Sequence, residues 1–319
     1  MRFNLKRPQV SVPILFVVLL LSASCSKDDT PEALSEEEIQ INLTARAEAK
    51  ELYEDFYLAS ATNSSDTAWT GDEASCDPGS TPQATINKIL QRLAYFRMAV
   101  GLHNEILENT AKSAKAQKAA LMMNANNQLN HSPGSNWKCF SDEGKEGAGN
   151  SLLTTARNAE SMDSYIRDYG SDNGPVGHRR WLLWPRLNEI GIGNTSKSNA
   201  IWVLGNAGPI PEDAPEFIAW PPKGHVPNNL VYPRWSFSIK DADFIDTEIS
   251  MKDANGNSIS VQLEDLSNAF GDRTIVWVPD GISTNSAEDT TYTVKIKNVG
   301  IDGEQLDFEY KVILFDPNL

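Results

Sequence analysis

Two of the four histidines in this chain lie in short motifs whose side chains could bind a metal ion or move a proton. His131 lies in the sequence Asn-His-Ser-Pro over residues 130–133, and His178 lies in Gly-His-Arg over residues 177–179. Neutral imidazoles are common zinc ligands, and zinc lowers the pKa of a bound water towards neutrality. If the fold brings both rings together near a carboxylate, the group could bind a divalent ion such as zinc. It could serve hydrolysis if a general base is also present.

Other patterns of catalytic chemistry are absent from the sequence. It contains no Gly-x-Ser-x-Gly elbow, no His-Glu-x-x-His zinc helix, no P-loop and no Cys-x-x-Cys pair. We therefore expect no cofactor other than zinc. The formal net charge of −15, from 43 acidic and 28 basic residues, opposes binding to a phosphate backbone and excludes nucleic acid as a partner.

The elements that must position the two histidines have recognisable patterns. Apolar residues at helical spacing predict a helix over 85–100, which ends at Gly101. A second helix is predicted over 110–126, and the mostly small residues on its inner side would let another element approach closely. Helical spacing returns over 160–169. Alternating isoleucine and glycine from residue 190, followed by an apolar run at 201–204, predict a pair of strands.

The texture of the sequence changes after residue 206. Seven prolines over 207–233 exclude a regular helix or a central strand, and this segment is predicted to be a stiff linker. From 234 to 319, β-branched and aromatic runs alternate with Asn-Gly and Asp-Gly turns, a pattern typical of a small β-sandwich. The predicted strands are 235–239, 247–251, 259–263, 274–278, 292–296 and 308–314.

Five ordered motifs resemble the bacterial branch of the CAP superfamily, which is named for cysteine-rich secretory proteins, antigen 5 and plant pathogenesis-related proteins. The matching segments are 100–102 (Val-Gly-Leu), 122–123 (Met-Met), 130–133, 177–179 and 190–193 (Ile-Gly-Ile-Gly). The resemblance implies an α+β protein, in which an α-β-α sandwich over 81–206 is followed by an immunoglobulin-like β-sandwich over 234–319. In the family, the central cleft of the α-β-α sandwich brings together two histidines and two acidic residues.

The resemblance also assigns the residues of this cleft. His131 and His178 match the family's two histidines, and both are candidate zinc ligands. Asp168 matches an acid that lies three residues after an aromatic. The family's other acid belongs to a Gly-Glu-Asn segment, but the corresponding stretch at 147–150 is Gly-Ala-Gly-Asn. The missing carboxylate weakens the case for catalysis, because it would orient a histidine or act as the general base.

Two further residues are candidates for the cleft. Glu146 and its neighbour Glu143 are close enough in sequence to replace the missing acid, although no spacing rule requires either to do so. Arg179 could bind an anionic ligand, or it could pair with an acid such as Asp168 or Glu189. Three interpretations of the cleft stay open: metal or ligand binding, catalysis, and a purely structural role for the two histidines.

The N-terminal segment is typical of an exported protein. Three basic residues precede an apolar run over 13–21, and small residues at 22–24 precede Cys25. The run is too short to span a bilayer, so residues 1–24 are predicted to be a signal peptide. The small residues before the cysteine resemble a bacterial lipobox, in which the cysteine is lipidated, although Leu21 lies one place further from it than usual. Ordinary cleavage near Ala23 is the alternative.

After Cys25 the chain is polar and acidic, and residues 25–80 are predicted to form a lipid-anchored tether, a helix that ends near Ala59, and a loop. The helix is predicted to start with a capping box at Ser35. The four residues after the cysteine resemble an export tag that directs bacterial lipoproteins to the outer face of the outer membrane. These features predict a surface-exposed outer-membrane lipoprotein whose first partner is the lipid bilayer.

Lipidation of Cys25 would leave Cys76 and Cys139 as a pair in an oxidising compartment. We predict a disulfide between them, the alternative being two unpaired thiols. The bond would constrain the unfolded chain by about 4 kcal/mol, because it closes a loop of about 60 residues.

These features together predict a CAP-domain protein of the bacterial cell surface that binds a ligand such as a lipid, an envelope polymer or another protein. One alternative is a metal-assisted hydrolase that uses His131 and His178. The other is a purely adhesive surface module in which the β-sandwich does the binding. The fold alone does not choose among them.

Overall fold

A computed structural model describes residues 44–319, which belong to one compact unit. The predicted signal peptide, Cys25, the tether and the capping box at Ser35 lie outside the described residues. The first described helix, α1 (Arg46–Leu52), continues as a π-helix over Tyr53–Leu58. Its end agrees with the predicted end near Ala59.

The next elements alternate between helices and short strands, as expected for a mixed helix and sheet fold. They are α2 (Gln83–Ala99), β1 (Leu107–Glu108), α3 (Thr110–Asn126), α4 (Asp142–Asn150), β2 (Ser151–Thr154), α5 (Glu160–Arg167), α6 (Gly177–Leu182), β3 (Glu189–Asn194) and β4 (Asn199–Trp202). The four strands form one sheet in the order β1-β3-β4-β2. The pair β1 and β3 is parallel, and the other neighbours are antiparallel.

Helices cover both faces of this sheet, because successive side chains of a strand point to opposite sides. In β2, Leu152 belongs to a core formed with α2, α5 and α6, whereas Leu153 belongs to a second core formed with α3 and α4. In β4, Ile201 belongs to the first core and Ala200 to the second. The structure therefore has the three layers that the resemblance implied, helix on sheet on helix.

Glycines and alanines allow α3 to approach its neighbours very closely. A Cβ atom on Gly193 of β3 would lie 2.1 Å from the carbonyl oxygen of Ala116, and one on Gly147 of α4 would lie 2.3 Å from that of Lys115. Neither position has room for a side chain. The expectation that another element could approach the small-residue face of this helix is confirmed on both sides.

The C-terminal region is rich in β-structure. Its strands are β5 (Ile218–Trp220), β6 (Gly224–Pro227), β7 (Trp235–Ile239), β8 (Glu248–Lys252), β9 (Ser258–Ile259), β10 (Val261–Leu263), β11 (Arg273–Pro279), β12 (Thr290–Ile301) and β13 (Glu304–Phe315). They form two sheets, in the orders β10-β11-β7-β5 and β6-β13-β12-β8-β9. Phe237 of one sheet packs on Phe308 and Tyr310 of the other in a shared apolar core. The predicted α+β class is confirmed.

In the C-terminal region, strand pairing begins earlier in the chain than the sequence predicted. The first strand was expected at residue 235, but the proline-rich segment supplies β5 and β6, each at the edge of a sheet. An edge position suits such a segment because proline cannot donate a ladder hydrogen bond. The segment also contacts the first core, where the ring of Trp220 lies 5.2 Å from that of Phe96 in α2.

Helix α1 contacts both parts of the structure. At the start of α1, the Arg46 guanidinium pairs with Asp289 at 3.2 Å and lies 4.9 Å from the ring of Phe315 in β13. Six residues later, Leu52 and the following Tyr53 are buried in the core that contains α2 and the sheet β1-β3-β4-β2. The helix therefore bridges the N-terminal layers and the C-terminal sheet.

Candidate functional site

His178 is held by a buried carboxylate. Asp168 follows α5 in the left-handed conformation, with φ 49°, which turns its side chain back towards the start of α6. One oxygen, Oδ2, accepts the backbone N–H of His178 at 2.8 Å, and the other lies 2.7 Å from His178 Nδ1. Because a carboxylate only accepts, Nδ1 carries the proton, and the Nε2 atom of a neutral ring keeps its lone pair. The His178 side chain is 22% exposed.

Tyr165 supports the His178 ring from the protein side. The two rings are 5.5 Å apart. The Tyr165 hydroxyl lies 3.0 Å from the carbonyl oxygen of Leu152 and from two oxygens of Asn199, so it links α5 to β2 and β4. Burial raises the pKa of Tyr165 well above its usual value, which keeps the hydroxyl protonated as a donor. This residue is the aromatic that precedes Asp168 in the family pattern.

The C-terminal region also contacts the turn that carries Asp168. Arg234, just before β7, donates to the carbonyl oxygens of Asp168 at 3.1 Å and Gly170 at 2.9 Å, and Glu264 pairs with it at 2.6 Å. The ring of Phe270 lies directly against Gly177, the residue before His178. Sequence reasoning missed these contacts, because no local pattern reports an approach between residues that are thirty or more positions apart.

His131 is exposed on the loop after α3. Its Nδ1 lies 3.0 Å from the carbonyl oxygen of Ala148 in α4. Since a carbonyl only accepts, the proton of a neutral ring is on Nδ1 and Nε2 has the lone pair, as in His178. The nearest atom to a Cβ placed on Gly149 would be the carbonyl oxygen of His131, at 3.5 Å. Gly149 belongs to the stretch 147–150 that corresponds to the family's Gly-Glu-Asn segment.

The donor set for a metal is incomplete in the part of the chain that the structure describes. Within residues 44–319, no three histidine, cysteine, aspartate or glutamate side chains are grouped so that they could hold an ion. Protein zinc sites use three or four such ligands, whereas His131 and His178 each present a single Nε2 atom. The prediction that His131 and His178 bind zinc stays a prediction.

The other two predicted cleft residues have partners of their own. Glu146 is exposed and pairs with Lys115 of α3 at 2.7 Å. Arg179 is buried, and it donates to the carbonyl oxygens of Ile166 and Arg234. It forms neither of the ion pairs considered from the sequence, because Asp168 is bonded to His178 and Glu189 is bonded to Lys112. Whether either residue contacts a ligand stays a prediction.

A comparison with protein families identifies the domain that carries His131 and His178. Residues 90–204 match the model of the family described as "CAP: Cysteine-rich secretory protein family". This part of the chain is a CAP domain. A search of curated proteins found no significant match. The matched range contains His131, Asp168 and His178, and it ends just before the proline-rich segment.

The predicted disulfide is present near α3 and α4, the helices of the second core. Cys76 and Cys139 are bonded, which links the loop before α2 to the loop that carries His131. Next to the bond lies an open groove of about 430 Å³. Its walls include the half-buried rings of Trp137 and Phe140 together with Leu121 of α3. The size of this groove is in the range of small-molecule sites.

The described residues contain no helix that is long and apolar enough to cross a membrane.

Proposed function

We propose that this protein is exported and lipid-anchored, and that its CAP domain binds a ligand of the cell envelope on the surface around His131, His178 and the groove beside the disulfide. The observation that carries this proposal is the state of the two imidazoles. Each has its Nδ1 proton engaged by a protein acceptor and keeps Nε2 for a ligand.

The geometry favours binding over catalysis. Both oxygens of Asp168 are occupied, one by the ring and one by the backbone of His178, so this carboxylate is not free to act as a general base. The stretch that corresponds to the family's Gly-Glu-Asn segment is Gly-Ala-Gly-Asn at 147–150, which has no carboxylate. Two fixed hydrogen-bond acceptors suit a ligand that offers hydroxyl, amide or ammonium donors.

The groove provides the apolar part of the same surface. The loop that carries His131 continues into the wall of the groove at Trp137 and Phe140. Partly exposed aromatic side chains bind apolar chains and sugar rings well. An amphipathic envelope molecule, such as a lipid or a polymer with acyl groups, would satisfy both the imidazoles and the groove.

The anchor belongs to the same proposal. The predicted lipidation at Cys25 would place the CAP domain next to a membrane, and a polar tether would let it reach envelope molecules. In this arrangement the protein is a surface-exposed lipoprotein of the outer membrane.

The second candidate function is metal-assisted hydrolysis, and the Asp168–His178 pair is the observation that favours it. A carboxylate on Nδ1 fixes the ring and raises the basicity of Nε2, as it does for histidines that ligate zinc. His131 and His178 would hold the ion, which would supply an activated water. Residues 44–319 show no third ligand grouped with these histidines, so we rank this function below binding.

Native mass spectrometry tests the binding proposal. Protein comprising residues 26–319 is incubated with a lipid extract of bacterial envelopes, and the complex masses are measured. We expect a retained lipid in the wild type and at least a tenfold loss of complex in His178→Ala and Trp137→Ala. His103→Ala is the matched control, because that histidine is exposed and pairs with Asp213 away from the groove. Equal retention by all four proteins, or by none, would contradict the proposal.

Zinc calorimetry separates the second function from the first. The wild type should bind zinc weakly, through two imidazoles. Gly149→Glu should tighten binding about tenfold or more, because it adds a carboxylate next to His131 in a place with room for a Cβ. Turnover of ester substrates that requires zinc and disappears in His178→Ala would favour the hydrolase. Zinc affinity that is unchanged by His131→Ala and His178→Ala would remove it.

A further inference from the structure

A small cavity lies where α6 of the CAP domain packs against the C-terminal sheet. Its volume is about 10 Å³, which is enough for about one small ion or water molecule. Helix α6 and the following turn form one wall, and strands β5 and β7 form the other. The lining residues are Arg179, Arg180, Leu183, Trp184, Pro185, Ile218, Ser236, Ser238 and Asp272.

Two neighbouring guanidinium groups line this cavity with unused donors. Arg179 and Arg180 are both buried, with 1% and 5% of their surface exposed. Among residues 44–319, no hydrogen-bond partner exists for Arg179 Nη2, Arg180 Nε or Arg180 Nη1. Such unpaired buried donors are rare and point to a bound water or ion that satisfies them.

The bonds that these two arginines do form leave their charges uncompensated. Arg179 donates to two carbonyl oxygens and to the hydroxyl of Ser236, and Arg180 donates to the carbonyl oxygen of Asp272. None of these acceptors carries a full negative charge. The carboxylate of Asp272 is itself occupied, since its Oδ1 accepts the indole N–H of Trp184 at 2.9 Å.

The surrounding charges do not favour two buried cations either. Burial lowers the pKa of Arg179 and of Arg180 to about 10. At Arg179, the charge of Asp168 raises the pKa and that of Arg234 lowers it further. At Arg180, Asp272 raises the pKa and Arg273 lowers it further. A negative charge inside the cavity would compensate both guanidinium groups at once.

We propose that this cavity is a binding site for a single halide ion, chloride in the normal surroundings of the protein. Arg179 Nη2 and Arg180 Nε and Nη1 are the donors that would bind it. A monatomic anion needs the least room in this small space. A water molecule fits the space, but it has two lone pairs for three donors and brings no charge. The site is independent of the envelope-binding surface and needs no metal.

An ion at this location would have a structural role. Arg179 and Arg180 directly follow His178 in α6, and the opposite wall belongs to strands of the C-terminal region. A halide between them would hold the histidine-bearing helix on the C-terminal sheet. Stability of the protein should therefore depend on halide concentration.

Thermal unfolding at constant ionic strength tests this dependence. Chloride or bromide replaces gluconate, while sulfate serves as the control for general salt effects, which act on all variants alike. The folding equilibrium constant of the wild type should rise about fiftyfold when the halide concentration reaches fifty times its dissociation constant. Arg180→Met should lose this response. Arg167→Met, which removes an exposed arginine from the adjacent α5, should keep it.

Diffraction from wild-type crystals grown in bromide gives a second readout that needs no variant. Anomalous signal from one bromide between Arg179 and Arg180 would establish the site. A water molecule in that place, together with stability that does not depend on halide, would overturn the proposal. If Arg180→Met does not fold, the bromide signal alone decides.

Discussion

Replacing Gly177 with alanine should break the contact between the His178 helix and the C-terminal region in a way that a second substitution repairs. A Cβ atom at this position would lie 2.9 to 3.0 Å from three atoms of the Phe270 ring. Carbon atoms in good contact are about 3.5 to 4.0 Å apart, so the overlap is about 0.6 Å. Phe270 or α6 must shift.

The expected magnitude is the difference of two opposing effects. Overpacking of this size costs about 1–3 kcal/mol. Alanine in place of a helical glycine gains about 0.5–1 kcal/mol. We therefore expect Gly177→Ala to destabilise the protein by about 1–2 kcal/mol. In a Phe270→Ala background the overlap is gone, so the same change should stabilise it by about 0.5–1 kcal/mol.

Urea unfolding followed by circular dichroism measures all four members of this double-mutant cycle. The coupling energy between the two positions should be about 2 kcal/mol. If Gly177→Ala had the same effect with and without Phe270, the contact would not be formed and the reasoning would be wrong. Equal m-values in the four proteins would show that each unfolds as the same cooperative unit.

Two other glycines of the CAP domain calibrate the result. Gly193→Ala should cost about 3 kcal/mol or more and resist repair, because its Cβ would meet the backbone of Ala116 at 2.1 Å and no side chain can be trimmed to make room. Gly149→Ala meets only the carbonyl oxygen of His131 at 3.5 Å, so it should change stability by less than about 1 kcal/mol in either direction.

Two further changes probe the covalent and polar supports of the site. Reduction of the Cys76–Cys139 bond, whose cysteines are 63 residues apart, should lower the free energy of unfolding by about 4 kcal/mol. Urea unfolding with and without a reductant measures it, and the Cys76→Ser/Cys139→Ser double variant should not respond. Tyr165→Phe should cost about 1–3 kcal/mol, because oxygens in β2 and β4 lose a buried donor. Tyr169→Phe is its control, being 76% exposed, and equal stability of the two variants would contradict the assigned role.

Regular, strongly patterned elements were predictable from the sequence. The helix predicted over 110–126 is α3 (Thr110–Asn126), and the strand predicted over 235–239 is β7 (Trp235–Ile239). Both have a period that matches their structure over several residues, and both end at clear boundaries. The same holds for α2, whose predicted and observed ends differ by no more than two residues.

Elements that depend on their neighbours were missed. Helix α4 contains three glycines, which disfavour a helix in isolation, yet it forms because Gly147 allows it to lie against α3. Strand β2 is short and buried along its whole length, so it has no alternation to reveal it. The strands β5 and β6 lie among prolines, whose pattern excluded a central strand but gave no positive sign of an edge strand.

The candidate site was only partly visible in the sequence. The motifs located His131, His178 and Asp168, and the two cysteines left after the expected lipidation of Cys25 predicted the disulfide. The motifs could not show that both carboxylate oxygens of Asp168 accept hydrogen bonds from His178, since that depends on the left-handed turn after α5. They also gave no sign of Arg234, which approaches from another part of the chain.

The position of α1 has a mechanical consequence. Any pull on a membrane tether would enter the described structure through this helix, whose first residue, Arg46, is tied to Asp289 and Phe315, and whose end is buried among the CAP helices. Tension would therefore load the two regions at the same time and shear a packed helix, instead of peeling one strand from a sheet edge. A cell-surface protein held in this way would keep its binding surface intact under drag from flow or from an attached ligand.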